Sequence, residues 1–179
     1  MNPPIQTANT YSVKDVDPLF EDLYTELRSI ANAFLGRAQG AQTLTPTVLV
    51  HEAYLRLASK EGGKWNNRAH FFRVAGKVLR NSLVEYARKK NAAKRGGDWL
   101  RVTLKGIEAD ESAQVDYMDL DAALTQLESL DARKARVVEL KYLCGLENQE
   151  VATILDVSLT TVEADWRFAK AWLKQRLES

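Results

Sequence analysis

Residues 146–177 read LENQEVATILDVSLTTVEADWRFAKAWLKQRL. Val151, Ala152 and Leu155 recur at three-four spacing, the pattern pauses at Asp156-Val157-Ser158, and Val162, Trp166, Ala169 and Leu173 resume it. Such spacing gathers each set on one face of a helix. Ser158 is placed to cap the second helix, because a hydroxyl there accepts from an early backbone N–H. Short helix, tight turn with one apolar residue, cap and longer helix make a helix-turn-helix pattern, in which the second helix enters the DNA major groove. The same spacing also suits a plain helical hairpin in a bundle core.

Helical spacing extends toward the N-terminus. Asp131 is placed to cap a run inward-facing at Ala135, Val137, Val138, Leu140 and Leu143, and Leu120, Ala123, Leu124 and Leu127 mark a helix starting near Met118. Between Gly96 and Val115 no periodicity is sustained; VTLKGIE (102–108) reads as a short extended piece within a tether. Earlier still, Leu19, Phe20, Leu23, Leu27, Ile30, Ala31, Phe34 and Leu35 define a helix over 16–35 that ends at Gly36. A second runs from Pro46 to about Ser59, burying Val48, Leu49, Val50, Tyr54, Leu55 and Leu57; KEGGKWNN (60–67) turns into a third, from Ala69 to Lys90. No segment alternates as a buried strand would. The expectation is an all-α protein: two small helical domains, 16–95 and 118–178, joined by a flexible acidic linker at 96–117.

Charge divides along these lines. Residues 1–95 hold 15 Lys and Arg against 8 Asp and Glu, residues 96–122 hold 2 against 7, and residues 123–179 hold 8 against 9. With Arg73 as origin at 100° per residue, Lys77 falls at about 40°, Arg80 at about −20° and Arg88 at about 60°, while Val74, Val78, Leu79, Leu83 and Tyr86 occupy the far side. One face of the third helix is therefore cationic and continues into KKNAAKRGG (89–97). A solvated face usually mixes signs, so a single-signed stripe points to an anionic partner such as nucleic acid. The acidic strip is read as a soluble tether in preference to a mask over that face.

At this point GLENQEVATILDVSLTTVEADW (145–166), preceded by LDARKARVVELKYL (130–143), resembles region 4 of an extracytoplasmic-function (ECF) sigma factor. HEAYLRL (51–57) and NNRAHFFRVAGKVLRNSLVEYARKK (66–90) resemble region 2 of that family, within the group sharing the PTxLVHEAYLRL and NRAHFF motifs. The resemblance runs from about Val16 to Leu177. It implies that region 2 binds the clamp helices of the largest RNA polymerase subunit and captures the melted minus-10 strand. Region 4, by the same resemblance, reads duplex minus-35 DNA and touches the flap of the second-largest subunit.

Laid on this chain, the strand-capturing loop is Lys64-Trp65-Asn66-Asn67-Arg68 leading to His70, with Arg73, Lys77, Arg80, Asn81 and Arg88 along the helix behind it. An unstacked base needs a flat partner and amide hydrogen-bonders, and its phosphates need cations. Trp65 alone would also suit a core position. The minus-35 surface comprises Ser158, Thr160, Thr161, Glu163, Ala164, Arg167 and Lys170. Two carboxylates there depart from the family: Glu163 is able to accept from a cytosine amino group, and Asp165 is expected to turn away from the phosphates.

The polymerase-binding face by the resemblance is Thr45, Thr47, Val48, His51, Glu52, Leu55 and Arg56. Thr45-Pro46-Thr47-Val48 stand where most relatives carry an acidic cluster. Thr45 suits an N-cap and Pro46 the first helical position, which explains those two residues but not Thr47. Phosphorylation of Thr47 or Thr45 by a Ser/Thr protein kinase would supply roughly 1.5 to 2 negative charges at a helix N-terminus. An anti-sigma factor is a further partner that the resemblance admits.

Other classes fare worse. Cys144 is the single cysteine and only two histidines are present, so neither an internal disulfide nor structural zinc is expected. Neither a Gly-rich phosphate loop nor a nucleophile with a paired base is visible, and an enzyme or a cofactor is not expected. With no spanning segment and no signal-peptide pattern in MNPPIQTANTYS (1–12), the expected location is the cytoplasm. The rival readings are a one-component helix-turn-helix regulator binding operator DNA as a dimer and a helical adaptor without a DNA role.

Overall fold

The computed structural model describes residues 18–36, 38–39, 45–60, 67–93, 99–104, 106–107 and 114–178. Among the described residues seven α-helices run in chain order: α1 (Pro18–Leu35), α2 (Pro46–Lys60), α3 (Arg68–Ala93), α4 (Tyr117–Leu130), α5 (Ala132–Val138), α6 (Asn148–Leu155) and α7 (Leu159–Leu177). Each lies within a few residues of its sequence-based span. Polar caps explain where several begin. Thr45 Oγ1 accepts from Val48 N at 3.3 Å, Asn67 Oδ1 from His70 N at 2.8 Å, Asp131 Oδ1 from Lys134 N at 3.1 Å and Ser158 Oγ from Thr161 N at 3.1 Å.

Two features depart from the sequence-based expectation. Glu139–Leu143 form a π-helical turn continuing α5. Residues 99–104, expected to belong to a tether, are packed: β2 (Arg101–Thr103) pairs antiparallel with both β1 (Ala38–Gln39) and β3 (Gln114–Asp116), registering Val102 against Ala38 and Val115. Leu100, Val102 and Leu104 are all buried, with Arg101 exposed between them. That is the period-two alternation of a strand; the sequence marks 102–108 only as a short extended piece, because so brief an alternation does not reveal which segments pair with it.

Helix α2 corrects one core assignment. Leu49, Val50, Ala53 and Leu57 are fully buried, but Val48 is 44% and Leu55 48% exposed. From Val48, the buried four lie at about 100° to 200° and Leu55 at about −20°. Val48 and Leu55 thus share the opposite face, outside the core stripe.

The two halves of the chain share one core. Phe34 of α1 meets Tyr117 of α4 and Tyr142 of the π-helical turn edge-on, at 6.1 and 6.3 Å between ring centroids. Tyr117 is fully buried and its hydroxyl donates to Arg80 O at 3.4 Å, while Tyr142 donates to Thr103 O at 2.6 Å. None of the described helices is long and apolar enough to cross a membrane.

Candidate nucleic-acid interface

Helix α3 carries the expected cations, but the C-terminal half lies across four of them. Arg80, assigned from sequence to an open DNA face, is only 5% exposed. Its Nε donates to Asp121 Oδ1 at 2.7 Å, one terminal nitrogen reaches Glu139 Oε1 at 3.0 Å and Glu128 Oε2 at 3.2 Å, and the other reaches Thr125 Oγ1 at 2.7 Å and Asp121 O at 3.1 Å. Burial alone would lower the affinity of this guanidinium for its proton; the hydrogen bonds to Asp121 and Glu139 reverse that and raise its pKa. Lys77 Nζ lies 3.4 Å from Glu128 Oε1.

The physical reason is a match of spacing. Lys77 and Arg80 share one face of α3 and meet Asp121, Thr125 and Glu128, which stand at i, i+4 and i+7 of α4; Arg73 on the same face of α3 reaches α6 instead. Residues so spaced share one helix face. The acidic strip identified from sequence contains only Asp121 of this set. Glu128 and Glu139 lie beyond it, and a segment-by-segment charge count does not pair them with a basic stripe on another helix. The polar stripe Asp121-Thr125-Glu128, flanking the Leu120-Ala123-Leu124-Leu127 core face, is the signal that sequence offers.

The first helix of the helix-turn-helix is held at both ends by α3. Near its start, Arg68 reaches Glu150 at 3.0 Å while also pairing with Glu26 of α1. At its end, Arg73 Nε donates to Ile154 O at 2.7 Å, satisfying a last-turn carbonyl that the helix itself leaves open. Glu150 and Glu147 also form the capping box that starts α6. Asp156 then turns the chain at φ 55° before Ser158 opens α7.

The residues of α7 assigned from sequence to the minus-35 surface lie mainly on its open side. Ser158, Thr160, Glu163, Ala164 and Arg167 are exposed, and Thr161 and Lys170 are half-buried. Asp165 is buried at 4% and pairs with Arg133 and Lys134 of α5, so its carboxylate faces inward. Trp166, read as an inward position, is half-buried beneath Lys141 and Lys170, whose Nζ atoms lie 5.2 and 5.7 Å from the ring centroid. Asp165 takes the fully enclosed place instead.

Other expected sites are distributed as follows. Asn67 is exposed, Arg68 and His70 are half-buried, and Arg73, Lys77, Asn81 and Arg88 are exposed as whole residues. Lys64, Trp65 and Asn66 lie outside the described residues. On α2, Thr45, Thr47, Val48, His51 and Leu55 are exposed and Glu52 and Arg56 are half-buried; Arg56 is tied to Glu85 of α3. Among the described residues there is no group of three or more His, Cys, Asp or Glu able to hold a metal ion.

The family model described as ECF sigma factor matches residues 9–179. The chain belongs to the ECF sigma factor family. A solved structure similar to it is the sigma factor RpoE in complex with the anti-sigma factor NepR from Bartonella quintana. That match has 18% identity and a TM-score of 0.42, covering 93% of this chain and 98% of the other. No curated protein sequence matches the chain. Family membership carries sigma-factor function, with its dependence on RNA polymerase and promoter DNA; a regulator acting without polymerase is not favoured.

Proposed function

We propose that this sigma factor uses residues 16–95 to bind core RNA polymerase and the minus-10 strand, residues 96–117 as the connection, and residues 118–178 to read the minus-35 element. The observation carrying this reading is the exposed reading face of α7 behind a capped turn, on a chain that also bears a cationic α3. Thr160, Thr161, Glu163, Ala164, Arg167 and Lys170 form the base-reading surface, with Glu163 favouring a cytosine amino donor. Asn67, His70, Asn81, Arg88, Arg73, Lys77 and Arg80 act on the opened strand together with the loop at Trp65 and Asn66.

The polymerase contact is the outer face of α2. Val48 and Leu55 supply exposed apolar anchors beside His51 and Glu52, and the largest-subunit clamp helices are its partner; the second-largest-subunit flap meets the C-terminal half. The first turn of α2 contains no acidic residue. Thr45 is engaged in capping through its hydroxyl, which favours Thr47 as the phosphate acceptor. A phosphate there would be stabilised by the helix N-terminus and present charge to a basic partner. A Ser/Thr kinase and an anti-sigma factor are the regulators this reading allows.

In-vitro transcription with core polymerase on a randomised promoter library tests the whole reading. Specific initiation with shared minus-35 and minus-10 elements is expected. Polymerase affinities of the unmodified protein, the Thr47-phosphorylated protein and Thr47→Ala test the gate; equal affinities in all three exclude it.

A further inference from the structure

We propose that the free protein is self-masked: its C-terminal half acts as an intramolecular substitute for DNA, covering the cationic face of α3 until the halves part. The proposal rests on the reading above, in which that face binds the opened strand. Carboxylates of Asp121, Glu128, Glu139 and Glu150 meet Arg80, Lys77 and Arg68, and the Ile154 carbonyl takes Arg73. These are the oxygen partners that backbone phosphates would otherwise provide.

The contact is fitted as well as charged. Gly76 faces the π-helical turn so closely that a Cβ placed on it would lie 3.6 Å from Glu139 Cβ, 3.7 Å from Cys144 Sγ and 3.9 Å from Leu140 Cδ2. A Cβ there makes ordinary van der Waals contact, and a larger side chain would add bulk directly against the turn. The π-helical turn carries Glu139, which is 2% exposed and bonded to both Arg80 and Arg136. The mask is selective, because the reading residues Thr160, Glu163 and Arg167 of α7 stay exposed while Arg80 is enclosed. In the closed form the minus-35 surface is therefore available, whereas on the minus-10 surface Arg80 is enclosed and Arg73 and Lys77, though exposed, are engaged by the C-terminal half.

The full chain is compared with two variants that open the seam by different means: Gly76→Leu, which wedges it, and Asp121→Asn with Glu128→Gln, which removes countercharge while keeping shape. Neither alters a cation of α3. Circular dichroism establishes that each remains helical, and small-angle X-ray scattering gives the radius of gyration. Affinity for a short single-stranded DNA oligonucleotide is measured across a salt series. Both variants are expected to have a larger radius than the unmodified protein and to bind the oligonucleotide more tightly. Release of Arg73, Lys77 and Arg80, with Arg68 still held by Glu26 of α1, should steepen the slope of log affinity against log salt by about 2.

Expansion without tighter or more salt-dependent binding would overturn the mask. So would unchanged radius and affinity in both folded variants. Where the unmodified protein still initiates specifically with core polymerase, such a result leaves the sigma-factor reading standing and removes only the mask. Failure of initiation together with absent oligonucleotide binding by every form overturns both.

Discussion

Asp165 lies beneath Arg133: the guanidinium Nε of Arg133 is 2.6 Å from Asp165 Oδ2, and the carboxylate side chain is only 5% exposed while its partner is 48% exposed. Lys134 adds a second cation at 3.5 Å. The asymmetry predicts that removing the exposed partner costs at least as much as removing the buried one. Arg133→Ala leaves a buried carboxylate with Lys134 alone, which Asp131 also shares, whereas Asp165→Ala leaves an arginine that water can solvate. Losses of about 1–3 kcal/mol are expected, larger for Arg133→Ala, because an orphaned buried charge carries the desolvation penalty. Urea unfolding of both single variants and the double variant checks this. A double variant less stable than the sum of the singles would contradict it.

Ser158 predicts a cleaner local effect. Its hydroxyl accepts from Thr161 N at 3.1 Å and lies 2.8 Å from Thr161 Oγ1. Ser158→Ala should cost about 1 kcal/mol, and Ser158→Asp should recover most of it, since Asp caps equally well. Thermal unfolding followed at 222 nm distinguishes them. Equal losses in both variants would show that the hydroxyl contributes through something other than capping.

Local chemistry explains why so much of this architecture is readable from sequence. Ser158 as a cap, Asp131 as a cap and the buried Leu120-Ala123-Leu124-Leu127 face depend on residues within two turns of each other. The exposure of Thr160, Glu163, Ala164 and Arg167 follows from the same local pattern, whereas the burial of Asp165 in place of Trp166 depends on Arg133, 32 residues away. The position of Arg80 does not, because its partners lie 41 to 59 residues away. A helical wheel shows which face is cationic but contains nothing about what covers it. The strand at Arg101–Thr103 overlaps the short extended piece read at 102–108, but its pairing with Ala38-Gln39, far away in the chain, is not legible for the same reason.

Cys144 offers a native reporter of the seam. Burial, with Glu139 nearby, pushes its thiol up to about 12. Since the thiolate is the reactive form, alkylation at pH 8 should be far slower than for a free thiol and should need an opening event. Gly76→Leu is expected to speed labelling by at least about tenfold at unchanged pH, the thiol moving toward its free reactivity. The readout is the rate of modification by iodoacetamide, followed by mass. Identical rates in the two proteins would mean that opening at Gly76 does not reach the thiol, although Cys144 Sγ lies only 3.7 Å from where a Cβ on Gly76 would stand.

Acid should loosen the same seam. Burial pushes the Glu128 carboxyl up, but the charges and hydrogen bonds of Lys77 and Arg80 outweigh it and hold its pKa below the usual range. Its unfolded value is about 4.3, so the folded state gains its contribution in full above that pH and loses it as pH falls through the lower folded value. Glu85, held low by Arg56, and Asp131, held low by Lys134, act in the same direction. Stability should therefore fall as pH is lowered from about 5 to about 3. Glu128→Gln should flatten that dependence while lowering stability at pH 7, because the amide stays neutral opposite Lys77 and Arg80. Each contribution is small, since Glu128 is 37% exposed and solvent screens it. Urea unfolding at a series of pH values compares the two proteins; an identical acid slope in the variant would remove Glu128 from the linkage.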